Sequence, residues 1–171
     1  MIKSLKDTDP YKLNESIFKL IGKDWMLVCA GSAEKYNMMT ASWGTCGILW
    51  NKPIAIAFIR PQRYTYEFIE KHDNFTLNFF DSSFRKTLNL LGTESGRDMN
   101  KMDISALDPI SSPGGSVYFK QARIVLECRK IYFDNIKPEF FLDNDIHKMY
   151  PKKDYHRFYI GEIINAMSKF D

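Results

Sequence analysis

The sequence predicts a mainly β protein, an antiparallel barrel interrupted by one or two helices. Short apolar runs bounded by turn residues recur along the chain, most clearly at 25–30 and 54–59, and such runs read as buried strands. Aromatic residues reach 15%, with 13 Phe and 9 Tyr, and aromatic side chains pack well on pleated faces. Helical periodicity is scarce and no strand–helix–strand rhythm appears, which argues against a parallel sheet.

The elements follow in order. Residues 1–15 carry Lys3, Lys6, Asp7, Asp9 and Pro10 and read as a leading segment lying over a neighbour. Asn14-Glu15-Ser16 opens a short helix or turn into Ile17 and Phe18. The first strand is 25–30, followed by a turn-rich link at 31–35. Residues 37–45 read as strand or strand edge, and 47–51 lead to a turn at Lys52-Pro53. The most strand-like run is 54–59. Pro61 suits a helix entry, since its fixed φ fits there and its missing N–H costs nothing, so 62–71 is a short helix. Residues 74–80 form a strand. Asp81-Ser82-Ser83 caps a helix through Arg85, Leu88 and Leu91 that stops at Gly92. Residues 93–103 are a polar loop or helical turn, and 109–115 a loop. In 122–132, Ile124, Leu126, Cys128 and Ile131 alternate with Arg123, Glu127 and Arg129, a half-buried strand. Residues 133–151 are irregular and charged, and 157–164 is the last strand.

A chain of 171 residues suits one domain, 1–171, with a real core. The net charge of +3, with no dense Lys/Arg run, sets nucleic acid aside. The three cysteines, Cys29, Cys46 and Cys128, lack zinc spacing and read as free thiols in a reducing compartment. Residues 1–10 have no signal-peptide character. No apolar run approaches the roughly 20 residues of a membrane span. The expected location is the cytoplasm.

Function concentrates in Asn37-Met38-Met39-Thr40-Ala41-Ser42-Trp43-Gly44-Thr45-Cys46-Gly47. Small hydroxyl residues and glycines let a ligand approach the backbone and offer N–H and O–H donors, which suits an anion or a flat polar ring. An ordinary strand with a wet Thr/Ser face also accounts for this stretch. Arg60, Arg63 and Thr65 surround a presumed helix N-terminus, a phosphate-binding arrangement; the alternative pairs both arginines with Glu67 or Glu70. Ser95-Gly96-Arg97-Asp98 with Lys101 makes a second anion contact or else a solvated turn. His156, at the entry to the last strand, can bond a carbonyl or carboxamide, or serve structure alone; His72 and His147 sit in charged surroundings. Cys46 lines a pocket or packs as a small hydrophobe. No nucleophile–base arrangement is present.

Five segments in order then resemble the flavin reductase-like family, closest to its flavoredoxin-type branch: 37–43, 59–66, 74–78, Ser95-Gly96-Arg97-Asp98, and 156–163. The resemblance implies an FMN-binding split β-barrel and a homodimer with flavin near the subunit interface. It implies an oxidoreductase that takes electrons from NAD(P)H or a redox protein. Asn37, Met39, Thr40, Ala41, Ser42 and Trp43 match the flavin-contacting segment, with Cys46 just beyond. Arg60, Arg63, Tyr64 and Thr65 match the phosphate segment, and Ser95, Gly96 and Arg97 a further motif. His156 falls where some relatives place a nicotinamide-side His, within Asp154-Tyr155-His156-Arg157, which departs from their pattern. On this reading the flavin ring lies against 40–46 and Trp43. The rivals are a flavin carrier without reductase activity, and a split barrel that holds another planar ligand such as haem or a pyridoxal-type cofactor.

Overall fold

The computed structural model describes residues 4–169; Lys3 of the leading segment lies outside them. The strands are β1 (Lys6–Thr8), β2 (Met26–Gly31), β3 (Tyr36–Ala41), β4 (Gly44–Leu49), β5 (Lys52–Ile59), β6 (Asn74–Phe79), β7 (Pro109–Ser111), β8 (Val117–Phe119), β9 (Ile124–Asn135) and β10 (Arg157–Ser168). The α-helices are α1 (Tyr64–Lys71), α2 (Arg85–Thr93) and α3 (Lys101–Ser105), and a π-helical segment, Phe18–Asp24, precedes β2.

The main sheet runs β3-β2-β6-β9-β10-β5-β4, with β1 laid against β10 and β7–β8 as a separate hairpin. Every pairing in it is antiparallel. Its two ends, β3 and β4, are consecutive in the chain and joined only by Ser42 and Trp43. The sheet therefore curls back on itself, yet no ladder joins β3 to β4 among the described residues. That unpaired seam makes the barrel a split one.

Alternation sorts the strands' side chains onto two cores. Met26, Val28, Phe75, Leu77, Leu126 and Tyr159 fill the barrel interior. Leu27, Cys29, Met38 and Val125 face outward onto Leu88 and Leu91 of α2 and Phe119 of β8. β2 is thus buried on both faces, which is why it reads as an unbroken apolar run. The start of β9, 124–128, is likewise buried throughout rather than half-buried. Its Glu127 accepts hydrogen bonds from Ser112 Oγ, from Gly114 N at 3.1 Å and from Asn165 Nδ2 at 2.7 Å.

The ladder between β9 and β10 shifts register between Ile160 and Gly161 and between Ile163 and Asn165. Such bulges bend long strands enough to close a barrel. A Cβ on Gly161 would lie 2.6 Å from Cys128 Cβ and 2.8 Å from the Phe75 ring, so the bend has no room for a larger residue.

Several expectations are corrected. The 37–45 segment is two strands, broken by the link at Ser42-Trp43. The hairpin turn after β4 is Trp50-Asn51, both at positive φ (51° and 58°), not Lys52-Pro53, because Lys52 and Pro53 already pair with Leu49 and Ile48. A two-residue loop with positive φ matches the right-handed twist of its strands. The first strand starts at Met26, since Trp25 has φ 69°. Pro61 lies in a turn closed by Arg63 N to Arg60 O at 3.0 Å, and α1 starts after it. The Asp81 carboxylate accepts no capping hydrogen bond, and α2 continues through Gly92 to Thr93. Part of the 109–115 loop is β7, paired with β8. Part of the leading segment is β1, paired with the end of β10.

Candidate functional site

The seam beside the Ser42-Trp43 link opens into a cleft of about 280 Å³. Met39, Thr40, Ala41, Ser42, Trp43, Phe58, Arg60, Arg63 and His156 line it. Residues from β3, its link to β4, the end of β5, the turn before α1 and the entry to β10 thus converge on one place.

Arg63 is the N-cap residue of α1. Its Nη1 donates to Gly92 O at 2.6 Å, near the C-terminus of α2, where unpaired carbonyls carry partial negative charge. Its Nη2 is buried with no hydrogen-bond partner. Burial, and Arg60 nearby, pull the guanidinium below its ordinary value. Lys101 of α3 is 3% exposed. Its Nζ donates to Leu91 O at 2.7 Å and Met38 O at 3.0 Å. Burial and the Arg63 charge lower its amine to about 8, against the pull of Glu94. Two cations are therefore held on the carbonyls around the end of α2, one with an unused donor. Burying such a donor is costly, so this is where an anion fits.

Arg60 is differently employed. Its Nη1 pairs with Asp154 at 2.7 Å and its Nη2 donates to Met149 O at 2.9 Å. Gln62 also bonds Asp154. Neither Arg60 nor Arg63 pairs with Glu67 or Glu70; Arg97 takes Glu67 and Arg157 takes Glu70.

Thr65 is fully buried, and its Oγ1 accepts from Asn37 Nδ2 at 2.7 Å. Neither lines the cleft; together they tie α1 to β3. Tyr64, Gly96 and Arg97 stand with Asn37 and Lys101 around a neighbouring hollow. The Arg97 guanidinium lies 5.0 Å over the Tyr64 ring and donates to Gln62 O at 2.8 Å. Ser95 Oγ accepts from Arg97 N at 3.2 Å. A Cβ on Gly96 would run into Asn37 Oδ1 and come 2.9 Å from Tyr64. The 95–97 motif is thus packed against the Asn37–Thr65 tie, outside the cleft itself.

Cys46 lies elsewhere too. It lines an apolar cavity beneath Leu13, Ile17 and Leu20, because alternation along β4 turns it inward where Trp43 and Thr45 face out. Burial pushes its thiol up to about 11.

His156 is 7% exposed. Its ring centroid lies 5.0 Å from Trp43 and 6.4 Å, edge-on, from Phe58. Burial, then Arg60, lower its imidazole to about 4, against Asp154. His147 is exposed and His72 half-buried, with Nδ1 2.8 Å from Phe68 O.

Sequence reasoning left out Phe58 and Tyr150, and it read Lys101 only as a companion of the 95–98 turn. Phe58 had a local signal, since it shares the outward face of β5 with Ile56. Nothing local marks Tyr150, whose place depends on the fold of 137–156. Among the described residues, no group of three or more His, Cys, Asp or Glu could hold a metal ion. No described helix is long and apolar enough to cross a membrane.

Among solved structures, flavoredoxin from Methanosarcina acetivorans is 23% identical with a TM-score of 0.67, covering 94% of this chain and 76% of that one. An FMN-binding domain of a flavin reductases-like enzyme from Shewanella baltica is 19% identical with a TM-score of 0.71, covering 99% and 79%. An FMN-binding protein from Thermus thermophilus is 18% identical with a TM-score of 0.67, covering 95% and 81%. These likenesses establish the split-barrel fold. No curated protein matches the chain. The family model of the flavin reductase like domain matches residues 19–168, nearly the whole sheet and every residue lining the cleft, and the chain belongs to that family.

Proposed function

We propose that this protein is an oxidoreductase that binds FMN in the seam cleft. The observation that carries this is the buried Arg63 Nη2 without a partner, on a side chain that lines the cleft and whose charge reaches Lys101. Arg63 would hold the phosphate, Lys101 would add charge behind it, and the turn at 60–63 would present backbone N–H groups at the start of α1. Trp43 and Phe58 would wall the ring. A bound flavin carries hydride or electrons itself, while the protein binds, orients and excludes water. His156, neutral near pH 7, offers a hydrogen bond there rather than a proton reservoir.

The cleft is continuous with an aromatic band on the outer sheet face. Successive ring centroids lie 5.9 to 6.4 Å apart from Trp50 through Tyr132, Phe158 and Phe58 to His156. Trp50 is 56% and Tyr132 44% exposed, more apolar surface than a free sheet face usually shows. This supports a homodimer in which a second copy covers the band and completes the flavin site. The electron donor is NAD(P)H or a redox protein. The free thiols Cys29, Cys46 and Cys128 fit the reducing cytoplasm.

The test is a visible absorption spectrum of the purified protein, taken before and after adding FMN and removing the excess. Retained yellow flavin is the expected result. A colourless protein that also fails to support FMN-dependent NAD(P)H oxidation would overturn the proposal. Retained flavin without NAD(P)H oxidation would point to the carrier instead.

A further inference from the structure

The segment after β9 returns to the cleft through a turn at Tyr150, closed by Lys153 N to Tyr150 O at 3.0 Å. Lys153 supports the turn with φ 55°. The turn brings the Tyr150 hydroxyl to 2.8 Å from His156 Nδ1. Tyr150 is 4% exposed, its ring stacked on Phe141 and covered by the Arg60 guanidinium at 5.0 Å. Arg60, held by Asp154 and Met149 O, therefore clamps this loop onto the cleft wall.

A buried phenol hydroxyl has to donate its proton somewhere. Nδ1 of His156 is the only acceptor that bonds it among the described residues. The imidazole is neutral at ordinary pH, so it carries one ring proton. If Nδ1 accepts, that proton is on Nε2. Nε2 has no hydrogen-bond partner among the described residues, and His156 lines the cleft beside Trp43.

We propose that Tyr150 is a positioning residue that locks His156 as the Nε2–H tautomer, so that the cleft presents a fixed neutral donor to a planar molecule bearing a carbonyl oxygen. Such a molecule would lie in the cleft within hydrogen-bond reach of His156 Nε2; a carboxamide on an aromatic ring has this chemistry. The identity of that molecule rests on the flavin reading, whereas the tautomer does not. The charged and titratable groups around His156 are Arg60, Asp154, Tyr150 and Tyr155, with Arg63 across the cleft. Of these, Arg60 disfavours an imidazolium and Asp154 favours one.

Long-range proton–nitrogen correlation spectra of uniformly labelled protein read the tautomer directly, with His156→Gln identifying its signals among three imidazoles. The expected result is a single Nε2–H pattern for His156 from pH 8 to 5, with no titration near 6.5. In Tyr150→Phe the pattern becomes a tautomer mixture. Nicotinamide, added as the probe to FMN-treated protein, shifts the Nε2 signal in the wild type and binds Tyr150→Phe roughly tenfold more weakly. A wild-type His156 that is Nδ1–H or titrates between pH 6 and 7 would overturn the lock, and so would a single Nε2–H tautomer persisting in Tyr150→Phe. An Nε2 signal unmoved by saturating nicotinamide would overturn the carbonyl-donor role. The wild-type spectrum decides the tautomer even if Tyr150→Phe fails to fold. Flavin retention, read separately by absorbance, keeps failure of the cofactor reading distinct.

Discussion

Removing the guanidinium at position 63 is the sharpest probe of the anion cradle. Arg63→Met is expected to weaken FMN binding by about 1.5–3 kcal/mol, the scale of a lost charge-assisted hydrogen bond, or roughly 10- to 150-fold in Kd. Riboflavin, which lacks the phosphate, should bind both forms alike. Paired fluorescence titrations with the two flavins check this, and an equal loss for both would remove the phosphate from Arg63. Lys101 carries a different signature. Its amine is lowered to about 8 by burial, against about 10.4 in an unfolded chain, so between those values the unfolded chain holds more protons. The penalty for burying the charge is full below about pH 8 and is relieved as pH rises toward 10, so Lys101 by itself favours the folded state more as pH rises across that window. The buried thiols Cys29, Cys46 and Cys128 are pushed up and lower stability over the same range, so the gain is read as a difference: the urea midpoint of the wild type relative to Lys101→Met should rise from pH 7 to 10. The two arginines and the polar stretch were legible because residue type and local spacing carried the signal. The division of labour was not. That Arg60 would serve Asp154, that Thr65 would be spent on Asn37 and that Lys101 would be buried all depend on partners 10 to 94 positions away in sequence.

At the scale of elements, strand character was readable wherever both faces or one face of a strand is apolar, as in β2, β5, β6 and β9. Boundaries failed where two strands meet without glycine or proline to mark the join. The β3–β4 link is Ser42-Trp43, and the β4–β5 turn is Trp50-Asn51 while the proline beside it sits in a strand. The β7–β8 hairpin was missed because its strands have only three residues each. The bulged end of the barrel offers an element-level test. Gly161→Ala places a methyl against Cys128 and Phe75, and overpacking of this kind costs typically 1–3 kcal/mol. Thermal denaturation should show the loss, with flavin affinity at low temperature nearly unchanged because the cleft contains no residue from that bulge. A fully stable variant would mean that the two strands are not so closely opposed there.

For the molecule as a whole, the exposed aromatic band predicts assembly. Phe158 stands at its centre, between Tyr132 and Phe58, so the expected outcome is a wild type that sediments as a dimer and a Phe158→Asp variant that is a folded monomer. Sedimentation equilibrium with circular dichroism distinguishes that outcome from unfolding, and a monomeric wild type would remove the second copy from the site. The pattern of strands suggested a barrel. What it did not reveal is that the barrel is closed by its last strand. β10 alone connects the β3-β2-β6-β9 half of the sheet to the β5-β4 half, and it brings His156 with it. A ribosome delivers Met39 through Arg63 well before His156. The cleft therefore cannot form until β10 has emerged, however much of its lining is already out, and cofactor uptake would report that β10 is in place.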